Sequence, residues 1–329
     1  MPPPKQKDKG GSKTTIMDSN LAVCLDILKR DTNQQAFAFE TDPRSFGCPQ
    51  SRPRIWIPAF DIDFMAELNL EPDALYNSMK DVLNKISNKY GLVPLSAYIL
   101  PSDHPAVIKQ LSRIEPPPQQ DQPDGPLKPG ERMPQWPVAH WKHAQATGHD
   151  WAKVFRITDE NREQFPGLYE LTERSCDILA AAGVSLSEEK VRLVEVGQFL
   201  GRGSHSKSCT TDVVGCVTPN WRSWVTTQNR FNNGHESLRF MGISYSPDKD
   251  GDPRRLNYSS HQLADLAGNA FHVGQCAAML VAMFTCVGMS YLSKEGIEIN
   301  DVLEDIDIGM VEDGEATLED IWGLPAAAA

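Results

Sequence analysis

Ser45-Phe46-Gly47-Cys48-Pro49-Gln50-Ser51-Arg52-Pro53-Arg54-Ile55-Trp56-Ile57-Pro58 is the stretch that decides how this chain is read. A turn, Phe46-Gly47-Cys48-Pro49, comes first. Gln50, Arg52 and Arg54 then stand at alternate positions, and in an extended segment alternate side chains share one face. Two permanent cations and one amide aimed into one space suit phosphate oxygens and the polar edge of a base. The plainer alternative is a strand start with solvated arginines. The apolar run Ile55 to Ile57 predicts a buried strand.

Upstream, Asn20 can cap a helix over Leu21 to Arg30, with Leu21, Val23, Cys24, Ile27 and Leu28 on one side. Ala36 to Phe39 predicts a short strand. Residues 1–19 are polar, without an apolar period, and predict a disordered tail. Downstream, Leu75, Met79, Val82, Leu83 and Ile86 recur at helical spacing and predict a helix over Asp73 to Lys89. Residues 115–137 are rich in Pro, Gln and Asp and predict a linker or long surface loop. His140, His143 and His149, among Trp136, Trp141 and Trp151, form a patch that reads as a solvated loop rather than a metal site, because no carboxylate or cysteine supports it.

Another helix is predicted over residues 167–182. Short strands follow at Val191 to Val196, Asp212 to Val217 and Trp221 to Thr226. Between the first two lies Gly201-Arg202-Gly203-Ser204-His205-Ser206-Lys207-Ser208. Its Arg202 and Lys207 and its backbone N–H groups suit phosphates, although a flexible connection reads equally well and the spacing is not that of a P-loop. A short helix starts at Gly234 and ends at Gly242. Gly268-Asn269-Ala270 is expected to open a buried helix, Cys276 to Leu292, with Asn269 either an ordinary cap or a donor and acceptor for a small polar ligand.

The chain has 329 residues, 40% hydrophobic, with a net charge of −12. Residues 293–329 hold eleven acids against one lysine, so the acidity belongs mainly to the tail. The remainder is near neutral and leaves room for a nucleic-acid partner without supplying a broad basic footprint. The seven cysteines are scattered and form no CxxC, which predicts neither a disulfide framework nor a zinc knuckle and fits a reducing, intracellular compartment. No apolar leader segment stands at the N-terminus, and the Cys276 to Leu292 run is short for a membrane span, so no membrane association is expected.

Three segments, in this order, resemble the C5-cytosine DNA methyltransferases. Phe46 to Ile57 is similar to that family's GVPQxRxRxxI segment. Glu236-Ser237-Leu238-Arg239-Phe240-Met241-Gly242-Ile243 resembles its EAxRLQGF helix. Leu266-Ala267-Gly268-Asn269-Ala270-Phe271 resembles its QxGNAV segment. The resemblance implies an α/β fold: an incomplete Rossmann-like, S-adenosylmethionine-dependent methyltransferase sheet with an inserted α+β target-recognition-like region. Residues 20–60 and 236–292 would be the C-terminal part of the catalytic domain, 61–235 the recognition region, and 293–329 an acidic tail. It further implies that Arg54 faces an extruded cytosine, Arg52 the nearby DNA backbone, and that Gln50 braces the loop. Gly268, Asn269 and Ala270 would line the S-adenosylmethionine pocket.

The chain departs from the family in the chemistry that breaks and makes bonds. No cysteine follows a proline, no Glu-Asn-Val segment is present, and no Phe-x-Gly-x-Gly loop precedes Leu21. Met241 stands where the family helix has Gln, and Phe271 replaces Val. Arginines and an asparagine cannot replace a nucleophile. The expectation is therefore a chain that does not methylate DNA alone. It would work in the nucleus or cytoplasm, either with a partner chain carrying the N-terminal catalytic half or as a non-catalytic nucleic-acid-binding scaffold.

Overall fold

The computed structural model describes residues 14–87, 91–115, 135–148, 157–197, 213–219, 221–243 and 258–296. In chain order the elements are α1 (Thr14–Thr32), β1 (Gln34–Ala36), β2 (Phe39–Thr41), β3 (Arg54–Trp56), β4 (Ala59–Asp61), α2 (Ile62–Glu67), α3 (Pro72–Ser87), α4 (Pro105–Leu111), α5 (Gln135–Thr147), α6 (Asp159–Gln164), α7 (Glu173–Ala181), β5 (Leu193–Glu195), β6 (Ser223–Val225), β7 (Arg230–Phe231), α8 (Gly234–Phe240), α9 (Ser260–Asn269) and α10 (Val273–Glu295). Helices and small sheets mix, consistent with an α/β class. The ladders between these strands are all antiparallel, and one parallel bridge joins Gln50 to Val214. The chain divides into two compact units.

The first unit holds described residues 14–41, 53–87 and 277–296. Its strands form one interrupted hairpin. Gln34 pairs with Asp61 and Ala36 with Ala59, while Phe39 pairs with Trp56 and Thr41 with Arg54, so both ladders share a single register. The break falls where Pro58 stands opposite Phe37. Phe37 N–H still donates to Pro58 O at 3.0 Å, but proline has no N–H to return the bond. Phe37, Phe39 and Phe60 are buried on the face that meets α3, where Tyr76 stacks on Phe39 at 5.0 Å and approaches Phe37 at 5.9 Å. Leu75, Met79 and Leu83 of α3 are buried, as the helical spacing predicts.

Three expectations change in the N-terminal part of this unit. The residues expected in a disordered tail include 14–19, which are helical in α1. The apolar side of that helix is not a core face, since Val23 and Ile27 are exposed. Ile55 and Ile57 do not lie in a buried strand either. Strand alternation puts Trp56 and Phe60 on the packed face and the two isoleucines, each 36% exposed, on the other.

Within this unit α10 buries Ala278, Met279, Ala282 and Cys286 on one side and exposes Leu280, Val281, Phe284 and Tyr291 on the other. The expectation of a buried helix over Cys276 to Leu292 thus holds for one side only. By length and composition alone its apolar stretch is enough to cross a membrane.

The second unit holds described residues within 42–52 and 91–276. Its sheet, β5-β6-β7, is covered on both faces. Leu193 and Val225, paired across the ladder, join one core with Tyr98, Trp221, Leu238, Phe240, Met241 and Leu263. Val194, Trp224 and Phe231 point the opposite way into a second core with Leu168, Ile178 and Leu179. Leu193 and Val194, adjacent in β5, are therefore both buried, one in each core. The helix expected over 167–182 is two pieces, a 3-10 turn at Pro166–Glu170 and α7, because Thr172 caps a new helix by accepting from Ser175 N–H. Of the strand expected at Asp212 to Val217, only the bridge at Val214 exists among described residues.

Candidate functional site

The residues picked out by the family resemblance divide between the units. Arg54 belongs to the first, and Gln50, Arg52 and Gly268 to Ala270 belong to the second. Arg54 is half-buried in β3, with Nη1 donating to the carbonyl of Pro53 at 2.9 Å. The other two members of the expected comb are buried rather than aimed into open space. Gln50 is fully buried and Arg52 is 6% exposed.

Backbone bonds hold that segment against a strand-like neighbour. Ser51 N–H donates to Val214 O at 2.8 Å and Val214 N–H to Pro49 O at 2.7 Å. Gln50 Nε2 donates to Met241 Sδ at 3.6 Å. The Arg52 guanidinium donates to the carbonyls of Val217, Gly268 (3.2 Å) and Ala270 (3.1 Å), and to Cys216 Sγ at 3.4 Å. Its own carbonyl accepts from Gln275 Nε2 at 3.4 Å.

Gly268, Asn269 and Ala270 do not open a helix. They close α9, and α10 starts at Val273. The glycine is needed for close approach: a Cβ on Gly268 would lie 2.1 Å from Pro219 N and 2.3 Å from Thr218 C. Asn269 is exposed and its Nδ2 donates to Asp265 O at 3.0 Å, a back-bond to its own helix. As a place for S-adenosylmethionine, the turn thus offers the Asn269 amide outward, while Gly268 and the Ala270 carbonyl are engaged inside the protein.

Beside this turn His272 is 1% exposed, with neither ring nitrogen hydrogen-bonded among the described residues. Burial first, and then the Arg52 charge, push its pKa down to about 4, against a smaller opposing pull from Asp42. The imidazole is neutral at physiological pH.

Sequence reasoning missed the most completely buried charges. Arg230 and Glu236 are both fully buried and pair in a two-pronged contact, Nη2 to Oε1 at 2.6 Å and Nη1 to Oε2 at 2.9 Å. Glu236 also accepts from Leu100 N–H and, as the third residue of a capping box, from Asn233 N–H. Asn233-x-x-Glu236 is a visible capping-box pattern and was the available signal. This network fixes α8 to the Leu100 segment and is structural.

The histidine patch is not a loop. His140 lies in α5, 2% exposed, with Nδ1 3.0 Å from Asp177 Oδ2. His143 is partly buried, and His149 lies outside the described residues, as do Arg202 and Lys207. Among the described residues no group of three or more His, Cys, Asp or Glu could hold a metal ion. Cys48 is 1% exposed and burial pushes its thiol up to about 11, which removes thiolate character.

No family model matches the chain. It is similar to the DNA (cytosine-5-)-methyltransferase DMT5 of Cryptococcus neoformans var. grubii, at 24% identity over 260 residues. That alignment covers 73% of this chain and 10% of the fungal protein, so the chain matches about a tenth of its length. The similarity supports the resemblance to the C5-cytosine DNA methyltransferases, a family whose members use S-adenosylmethionine.

Proposed function

We propose that this chain is the C-terminal part of a DNA (cytosine-5-)-methyltransferase-like protein. Residues 20–60 and 236–292 contribute to a Rossmann-like catalytic domain and 61–235 to target recognition, with DNA as the substrate and a nuclear or cytoplasmic location. The observation that carries the reading is the bonding of Arg52, from the Gln/Arg segment, to both carbonyls that flank Asn269. Two of the segments that resemble the family are far apart in sequence and are bound together here.

S-adenosylmethionine supplies the methyl group when bound. On this reading the Gly268–Ala270 turn lies along the cofactor and presents the Asn269 amide to it. Arg54 serves the extruded cytosine, where a fixed cation suits the oxygen of a base lifted from the stack. The nucleophile comes from elsewhere, because no cysteine follows a proline. Alone, the chain transfers no methyl group.

A partner segment is supported by α10. It exposes Leu280, Val281 and Phe284 side by side, an apolar face suited to a covering segment. The missing Pro-Cys segment also leaves room for a second reading, a non-catalytic nucleic-acid-binding scaffold.

A tritium-transfer assay with labelled S-adenosylmethionine and duplex DNA, joined to equilibrium dialysis of the cofactor, tests these readings. The expected outcome is measurable cofactor binding with no incorporation by the chain alone, and incorporation once a segment bearing the Pro-Cys nucleophile is added. Salt-dependent DNA binding with no cofactor affinity selects the scaffold. Robust incorporation that survives replacement of each cysteine in turn would sink the family-based reading.

A further inference from the structure

The segment that joins α9 to α10 has an inner and an outer side. Gly268 and His272 are buried, and the carbonyls of Gly268 and Ala270 accept from Arg52. Asn269 and Phe271 are exposed, the ring by 66%. Ala270 between them is extended, with φ −77° and ψ 156°, so its two neighbours share one side, about 7 Å apart. Leu266, 45% exposed, lies one helical turn before Asn269 and borders that side. The inner bonds set the outer side in advance. A Cβ on Gly268 would meet Pro219 N at 2.1 Å, and Arg52 holds both carbonyls that flank Asn269.

Asn269 Nδ2 carries two hydrogens and gives one to Asp265 O at 3.0 Å. Its second hydrogen and Oδ1 are not engaged among the described residues, which leaves one donor beside one acceptor. That pair matches the edge of adenine, where N7 accepts and the N6 amine donates. Guanine presents two acceptors on the corresponding edge. The Phe271 ring, where the family resemblance has Val, supplies a face on which a base can stack. We propose that Phe271 and Asn269 form an adenine subsite, with the base stacked on Phe271 and its amine edge against Asn269. This rests on the functional reading above only in naming S-adenosylmethionine as the source of the adenine. The turn then takes the nucleoside end of the cofactor rather than its methionine end.

The test is equilibrium dialysis of the full chain with labelled S-adenosylmethionine, adenosine, inosine and methionine, each alone. Inosine carries an oxygen where adenosine carries the amine. The unmodified chain is expected to hold adenosine about tenfold tighter than inosine. Phe271→Val is expected to weaken adenosine and S-adenosylmethionine alike by about tenfold, and Phe271→Tyr by no more than about twofold. Asn269→Ala is expected to bring the adenosine-to-inosine ratio toward one, a change that loosened structure alone does not produce. Both side chains are exposed, so the urea midpoints of the three variants are expected to match that of the unmodified chain.

Adenosine affinity that Phe271→Val leaves unchanged gives the ring another occupant and overturns the subsite. Equal affinity of the unmodified chain for adenosine and inosine overturns it too, as does methionine binding that weakens in Phe271→Val. If S-adenosylmethionine binds with neither dependence, the subsite falls and the functional reading stands. If adenosine binds with both dependences and S-adenosylmethionine does not bind, the subsite stands and the functional reading falls. If neither binds, both fall. Should a variant unfold, the adenosine-to-inosine ratio of the unmodified chain decides alone.

Discussion

His272 and Arg52 are neighbours in one buried polar setting and answer differently to acid. His272 has its pKa lowered from 6.5 to about 4 by burial and by the Arg52 charge. The unfolded chain therefore takes up a proton near pH 6.5 that the folded chain refuses until about pH 4. A depressed folded pKa means that the contribution is complete above 6.5 and is lost as pH falls through that window. The expected loss is on the order of 3 kcal/mol. Urea unfolding at a series of pH values should show it, and His272→Phe should flatten that part of the profile. At this scale the alternating pattern misjudged the surroundings of Gln50 and Arg52, which are buried. Alternation alone put Gln50 and Arg52 on an open face. The carbonyls that draw Arg52 inward belong to residues 217, 268 and 270, and no local pattern announces them.

Elements were legible where one period dominates. α3 follows its apolar spacing closely, and β5 falls inside the run read as a strand. β7 was missed because two residues, Arg230 and Phe231, carry no period. The start of α10 was misplaced because Gly268-Asn269 was taken as a cap, when it is the last turn of α9. The hairpin shows how a single residue sets an element: Pro58 splits one ladder into two without shifting the register. Which face of it is buried can be tested. Phe39→Ala should cost about 3 to 5 kcal/mol, because a ring stacked on Tyr76 is lost from the core. Ile57→Thr should stay within about 0.5 kcal/mol. Urea midpoints of the full chain measure both, and equal costs would contradict the assigned faces.

For the whole molecule, the question is what covers α10. Leu280, Val281 and Phe284 are 49%, 49% and 70% exposed, and they lie opposite a buried stripe on the same helix. Phe284→Arg should leave stability within about 0.5 kcal/mol while abolishing association with the segment that carries the nucleophile. Co-purification at matched expression reads that outcome. Equal recovery of the two forms would remove this face from the proposed interface. The apolar helix is visible in the sequence but its bare side is not, because a run that is apolar all round has no period to say which side the chain itself will cover.

The guanidinium of Arg52 keeps its proton at any acidity a cell reaches. Shielding by added salt hardly penetrates to a group that solvent barely touches. The clasp it forms should thus hold through brine and through alkali alike. Vinegar-like sourness is the reagent that disturbs it, and it acts through the imidazole next door, which must then carry a second positive charge into the same dry corner.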